Sequence, residues 1–261
     1  MFEMAARIQH QMSIKKTCFV RFPGHVAPYI RATLLKEMIK YLLYHSHQIQ
    51  MPFEQIKFDF GSSKDSDFSR HPANAENAKR LISGLEEIFT NIDTLFSMAC
   101  VTRFAIIFGA TIVSPREVYH MTITERHLPS STNSDSTNSS STKNILRTKT
   151  CVRTLMKELV TSDALLSSKK PSEKIPPPTK MFLLIYAHRN SGIQWFVPIN
   201  FTSPRRGEQF WIKVEHGESS ETDGVDAQDS LEDDDWIWFK APVDVKGFLE
   251  KATNLSKGFQ L

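Results

Sequence analysis

Residues 78–109 read AKRLISGLEEIFTNIDTLFSMACVTRFAIIFG and carry two apolar patterns in succession. From Ala78 to Phe96 the apolar side chains recur every three or four residues, which is the spacing of one face of an α-helix. Arg103–Gly109 is instead a short apolar run rich in isoleucine and phenylalanine, as in a buried strand. An amphipathic helix followed by a buried strand predicts helices packed on a sheet.

The same patterns recur on both sides of this segment. Helical spacing predicts a first helix over about residues 28–48 and a third over about 144–167, and the apolar stripe of the third is wider than one contact needs. A short apolar segment lies at 53–60. Strands are predicted at 18–22, 118–124, 182–186, 195–201, 209–214 and 236–240, with 195–201 and 209–214 forming a hairpin around Ser203–Gly207.

Helices that alternate with strands early in the chain and consecutive strands late in it predict an α+β fold. We expect three helices on one face of a largely antiparallel sheet that ends in a C-terminal strand segment. One domain is expected over residues 16–250, with tails at 1–15 and 251–261. Polar and proline-rich composition predicts flexible loops at about 61–73, 129–143, 168–180 and 216–234.

The charge of the chain is unevenly distributed. The 261 residues are 40% hydrophobic and 23% charged, which is a globular composition, and the formal net charge is +3. Nine carboxylates and no base lie between Gly217 and Asp235, so the rest of the chain is basic. The basic part of the chain could bind acidic partners. Alternatively, the acidic segment is simply a solvated loop that screens the chain's own positive charge.

The sequence gives no support for a disulfide-rich, zinc-binding, secreted or membrane-spanning protein. The three cysteines, Cys18, Cys100 and Cys151, are too few and too far apart for a disulfide framework or a zinc site. The first residues lack the apolar core of a signal peptide, and the apolar run at 104–113 is too short to span a bilayer. We therefore expect reduced thiols, in the cytosol or the nucleus.

Catalytic chemistry has one weak candidate, at the end of a predicted strand. The sequence contains no glycine-rich phosphate loop, no G-x-S-x-G elbow and no H-E-x-x-H motif. His188, Arg189 and Asn190 could supply an acid, a base and an oxyanion donor, so a small hydrolase or transferase is one alternative. The simpler interpretation is a polar turn.

Two further sets of residues bear on binding. His45 and His47 lie two positions apart on a predicted helix and face different directions, so no shared metal ion is expected. The basic pairs at 15–16, 169–170 and 205–206 leave a basic nucleic-acid-binding module as a second alternative. These pairs are dispersed, and solvated charges are the simpler account.

Five blocks of the sequence resemble the comet family, whose members bind the spindle assembly checkpoint protein Mad-two (Mad2). The blocks occur in the family's order, and the resemblance extends from about Cys18 to Glu250. They are Arg21–Gly24 (RFPG), 42–60 (LLYHSHQIQMPFEQIKFDF), 106–119 (IIFGATIVSPREVY), 188–207 (HRNSGIQWFVPINFTSPRRG) and 236–248 (WIWFKAPVDVKGF).

The resemblance implies a HORMA-like fold and a non-catalytic adaptor without a cofactor or a metal. Comet proteins pair pseudo-symmetrically with the closed conformer of Mad2. They present it to an AAA+ remodelling ATPase of the Pch-two (Pch2) family, which disassembles the mitotic checkpoint complex and silences the checkpoint. The implied partners exclude nucleic acid and membranes. The implied location is the nucleus and cytoplasm, and the spindle or kinetochores in mitosis.

The resemblance also implies two partner surfaces. The family's Mad2 contact uses a polar residue near the end of the first helix and an aromatic residue on the third helix; His45 and Met156 stand at these positions. Arg153, Lys157 and Val160 extend the same ridge of the third helix.

The family's ATPase contact follows a Trp-Phe pair and maps onto Pro198 and Ile199. Ile199 stands where the family has a lysine, so Arg205 or Arg206 is expected to supply the positive charge.

Overall fold

The computed structural model describes residues 16–61, 72–99, 101–125, 141–166, 177–217 and 235–249. Both predicted tails lie outside these residues, as do most positions of the four predicted loops. At the edges of those loops, residues 141–143 belong to a helix and residues 216–217 to a strand.

Three long helices match the three predicted ones, and a shorter helix was missed. The predicted helices are α1 (Pro28–His45), α3 (Pro72–Met98) and α4 (Ser141–Thr161), and a single turn, α5 (Asp163–Leu166), follows α4. The apolar segment at 53–60 forms α2 (Phe53–Gly61). Its buried residues, Phe53, Ile56 and Phe60, have helical spacing, but Phe58 lies between them and is 79% exposed, which obscures the period.

Eight strands of the described residues form one sheet. They are β1 (Thr17–Pro23), β2 (Arg103–Gly109), β3 (Pro115–Glu125), β4 (Lys180–His188), β5 (Val197–Ile199), β6 (Glu208–Gly217), β7 (Trp236–Lys240) and β8 (Val245–Lys246). The strand order is β1-β6-β3-β2-β4-β7-β5, and β8 also pairs with β4. Only β6 runs parallel to its neighbours, β1 and β3. The predicted α+β class is confirmed, and the architecture is that of a single HORMA-like domain.

The predicted hairpin between 195–201 and 209–214 is wrong. β5 pairs with β7 at one edge of the sheet, whereas β6 lies between β1 and β3 near the other edge. The intervening residues therefore cross the face of the sheet opposite the helices. Along this crossing Ile199 and Phe201 pack against the buried apolar cluster that includes Phe182 and Leu184, and this burial favours the crossing over a hairpin.

Apolar side chains cover both faces of the central strands. In β2, Phe104, Ile106 and Phe108 belong to the main core under the helices, while Ala105 and Ile107 belong to the smaller cluster on the opposite face. This two-sided burial explains why β2 shows a continuous apolar run rather than an alternating pattern.

A fully buried glutamine, Gln48, ties the C-terminal segment to the domain. Its side-chain oxygen accepts the backbone N–H of Thr179 at 2.7 Å, and its own carbonyl oxygen accepts the N–H of Phe248 at 2.7 Å. A Cβ on Gly247 would lie 2.6 Å from that carbonyl oxygen, so this packing requires glycine.

Candidate functional site

Helices α1 and α4 lie side by side and form a seam across the surface of the domain. They run in the same direction: Tyr29 and Ile145 line one groove near their N-terminal ends, and the Tyr41 hydroxyl donates to the Leu159 carbonyl oxygen near their C-terminal ends. α4 also covers β1, where the Cys18 thiol contacts the Glu158 carbonyl oxygen at 3.7 Å. This places α4 over the β1 edge of the sheet.

Predicted residue His45 borders the C-terminal half of the seam. Its ring stacks on the ring of Tyr41, with centroids 5.4 Å apart and planes 19° apart, and its Nδ1 lies 3.5 Å from the Tyr41 hydroxyl. Burial raises the pKa of Tyr41, so the hydroxyl remains a hydrogen-bond donor at neutral pH. His45 is half-buried, and a partner at this end of the seam could reach part of its surface.

The other predicted residues form a ridge on α4. Leu155 and Leu159 are fully buried and anchor the helix to the core. Arg153 and Lys157 are exposed and Val160 is 53% exposed; spacings of four and three residues bring them to one outer face.

Met156 lies at the margin of this ridge. It packs partly against the core and leaves the rest of its side chain accessible. Its accessible part borders the exposed face that carries Arg153, Lys157 and Val160.

The N-terminal half of the seam is an open groove that sequence reasoning missed. Its volume is about 660 Å³. The sequence indicates this groove only through the apolar stripe of the third helix, which is wider than one contact needs. Val152 and Ile145 form the extra width of that stripe and line the groove. The groove is lined by Tyr29, Thr33 and Glu37 of α1 and by Asn144, Ile145, Thr148, Lys149, Val152 and Arg153 of α4.

The predicted ATPase-facing residues do not form one cluster. Pro198 is exposed in edge strand β5, and Ile199 is half-buried against the smaller apolar cluster. Beside them a pocket of about 430 Å³ also contains Arg189 and Trp238. Arg205 and Arg206 are exposed just before β6, so four strands separate them from β5.

The structure places His188 in a local polar turn. Its Nδ1 accepts the backbone N–H of Asn190 at 3.1 Å, and its Nε2 lies 3.8 Å from a carboxylate oxygen of Asp235. Within the described ranges, no serine, threonine or cysteine side chain hydrogen-bonds this ring. The arrangement matches the turn interpretation and lacks a positioned nucleophile.

None of the helices in the described residues is long and apolar enough to cross a membrane. No group of three or more histidine, cysteine, aspartate or glutamate side chains in the same part of the chain could hold a metal ion.

Comparisons with known proteins agree on one family. The sequence profile described as "p31comet: Mad1 and Cdc20-bound-Mad2 binding" matches residues 3–250. A mouse protein named MAD2L1-binding protein is 28% identical over 239 residues, which cover 88% of this chain and 78% of that protein. The human protein of the same name is 25% identical over 240 residues, with 88% and 79% covered.

Proposed function

The chain belongs to the p31comet family, and from this premise we propose that it is a non-catalytic adaptor that binds the closed conformer of Mad2. The main support is the outer face of α4, where Val160 is 53% exposed beside the exposed bases Arg153 and Lys157. An exposed apolar side chain flanked by charges on a firmly anchored helix is the composition of a small recognition surface. Pairing with Mad2 is proposed to use this ridge together with His45 and Met156.

Preference for one Mad2 conformer requires contacts that differ between the two conformers, because a ligand with equal affinity for both shifts nothing. The α1–α4 seam is suited to this task. Its helices are fixed by fully buried residues such as Leu155 and Leu159, so the surface keeps one shape and a Mad2 conformer must fit it.

Presentation to a Pch2-family AAA+ ATPase, with disassembly of the mitotic checkpoint complex and checkpoint silencing, is the second part of the proposal. α4 covers strand β1 at one edge of the sheet, while Pro198 and Ile199 lie in β5 at the other edge, with five strands between. The adaptor could therefore hold both partners without a collision. We place its action in the nucleus and cytoplasm, and at the spindle or kinetochores in mitosis, without nucleic-acid or membrane binding.

The test is co-purification of the intact chain with Mad2 and the ATPase. We expect retention of closed Mad2, much weaker retention of a Mad2 variant locked in the open form, and a three-protein assembly when the ATPase is added with non-hydrolysable ATP. Equal retention of both Mad2 conformers would contradict conformer selection. Loss of the ATPase alone would contradict only the presentation step.

A further inference from the structure

The groove between the N-terminal halves of α1 and α4 has apolar walls and a basic rim. Tyr29 and Ile145 are about half exposed along it, and Val152 packs between them and the core. Lys149 and Arg153 line the groove, and neither forms a salt bridge with any described residue. Glu37, the one acid in the lining, already binds Lys40 at 2.6 Å.

The basic character extends along the whole first half of α4. Residues 141–157 include five bases and no acid. The bases, Lys143, Arg147, Lys149, Arg153 and Lys157, are all exposed. An apolar groove bordered by unpaired positive charge is complementary to an acidic segment that also carries a few apolar side chains.

We propose that the occupant of this groove is the chain's own acidic stretch, residues 218–234, which lies outside the described residues. Its 17 residues include eight carboxylates and no base. They also include Val225 and Leu231, which can supply the apolar contacts. The acidic stretch is therefore complementary to the groove both in charge and in apolar content.

The attachment points of the stretch favour this occupant over any other. β6 ends at Gly217, which is paired with Pro23 of β1. Two residues further along, the carbonyl oxygen of His25 accepts a hydrogen bond from Arg147 of α4. The acidic stretch therefore begins beside the basic half of α4.

The stretch is long enough to enter the groove and return. Its far end joins β7, which begins at the same end of the sheet as the end of β6 and four strand spacings away, or about 19 Å. Arg147 and Arg153 are separated by about 9 Å along the helix axis. Seventeen residues can extend about 55 Å, which exceeds the sum of about 19 Å between the strand ends and about 9 Å along α4 in each direction.

Docking of the stretch has a consequence for Mad2, and that consequence rests on the proposed function, whereas the docking itself does not. Arg153 lines the groove and also belongs to the predicted Mad2 ridge. A tethered segment competes at an effective concentration in the millimolar range. The self-occupied fraction therefore lowers the apparent affinity for Mad2.

Zero-length carbodiimide crosslinking of the full chain tests the docking without Mad2. At low salt we expect intramolecular crosslinks between Lys149 and carboxylates of 218–234, recovered from the monomer. They should weaken at about 0.5 M NaCl, where the Debye length is only a few ångströms. Exposed Lys79 on α3 is the matched internal control and should give few such crosslinks.

The substitution Arg153→Glu, which keeps Lys149, should reduce these crosslinks several-fold, while Lys79→Glu should leave them unchanged. The proposal is overturned if Lys149 gives no crosslink to the acidic stretch, or if Lys79 gives as many as Lys149. It is also overturned if the crosslinks occur only in a crosslinked dimer. The last result would identify a second copy of the chain as the occupant.

A second measurement tests the competition. Neutralisation of the stretch by Asp226→Asn, Asp229→Asn and Glu232→Gln is expected to tighten Mad2 binding by about three- to tenfold at low salt, because it removes the tethered competitor. Unchanged affinity overturns the competition. If neither the unsubstituted chain nor the neutralised variant binds Mad2, the proposed function fails, while the crosslinks still decide whether the acidic stretch docks in the groove.

Discussion

The hydroxyl of Tyr41 donates a hydrogen bond to the main-chain carbonyl oxygen of Leu159 across 3.3 Å, joining α1 to α4 over a separation of 118 residues. Beneath it Leu159 is fully buried, and on its other side the Tyr41 ring stacks on His45. This contact fixes the C-terminal end of the seam, so α4 presents its outer ridge at a defined angle to any partner.

Reversal of charge on the ridge should slow the association with Mad2. For Arg153→Glu combined with Lys157→Glu we expect an association rate about tenfold lower, because exposed charges steer encounter more than they hold the complex. Surface plasmon resonance at two salt concentrations measures the rates. The double substitution Lys79→Glu and Arg80→Glu on α3 is the control, and an equal effect of both pairs would contradict the ridge assignment.

Introduction of a carboxylate at Met156 should weaken the Mad2 complex directly. Met156→Glu would bury an unpaired charge at the margin of the interface, and we expect an affinity loss of at least about tenfold, or 1.4 kcal/mol. Isothermal titration calorimetry gives the affinity, and circular dichroism checks the fold. Met98→Glu, at a methionine that is 56% exposed on α3, controls for the chemistry of the change. Undiminished binding by Met156→Glu would exclude this residue from the interface.

A change at Pro198 should separate the two partner surfaces. Pro198→Asp lies on exposed edge strand β5, so we expect normal retention of Mad2 and a loss of ATPase-driven Mad2 release of about fivefold or more, for a contact worth about 1 kcal/mol. A fluorescence assay of Mad2 release follows the reaction. Exposed Pro242→Asp serves as the control. A variant that loses Mad2 as well would show that the two surfaces are not independent.

Addition of one methyl group at Gly247 should destabilise the domain. The new Cβ of Gly247→Ala would lie 2.6 Å from the Gln48 carbonyl oxygen and 2.8 Å from Cβ of Pro178, so the C-terminal segment must shift. We expect the free energy of unfolding to fall by about 1–3 kcal/mol in urea denaturation. Gly61→Ala, where the new Cβ meets only a lysine side chain at 3.5 Å, should change it much less.

Protonation of His120 should lower stability in mild acid. Burial lowers the pKa of this histidine below its usual 6.5, and the hydrogen bond to Gln209 at 2.8 Å opposes the shift only in part. The folded state therefore binds fewer protons than the unfolded state, so stability is full above about pH 6.5 and declines as the pH falls through the lowered value. Urea denaturation between pH 7.5 and 5 measures this decline. His120→Gln should show a shallower pH dependence, and an identical slope would contradict the assignment.

The elements that the sequence predicts well are those with a strong local period. The apolar run of strand β2 predicts its bounds, and the apolar stripe of helix α3 predicts its C-terminal end within two residues, whereas the helix begins six residues before the first residue of the stripe. The partners of β6 could not be identified in this way, because the turn residues at 203–207 suit a hairpin, whereas β6 pairs with β1 and β3, which are distant in the sequence. Helix α2 was missed because exposed Phe58 interrupts its apolar period.

Within the candidate site, the sequence likewise predicts the features that depend on one helix and not those that depend on two. The ridge residues share a face by helical spacing alone, so the position of Val160 relative to Arg153 followed from their numbers. The groove depends on the distance between α1 and α4, which no pattern within either helix reports. Tyr29 and Ile145 are distant in sequence and line one groove only in the folded domain.

The position of β1 sets the order in which the domain can be completed during synthesis. Among the described strands β1 pairs with β6 only, and its Arg21 contacts Glu215 at a separation of 194 residues. β1 must therefore wait until β6 has been synthesised before it acquires this neighbour. Until then β1 lacks its partner strand, so a nascent chain interrupted before residue 208 would leave the backbone N–H and C=O groups of β1 unpaired at the sheet edge and open to pairing with another chain, a vulnerability that belongs to translation rather than to the finished protein.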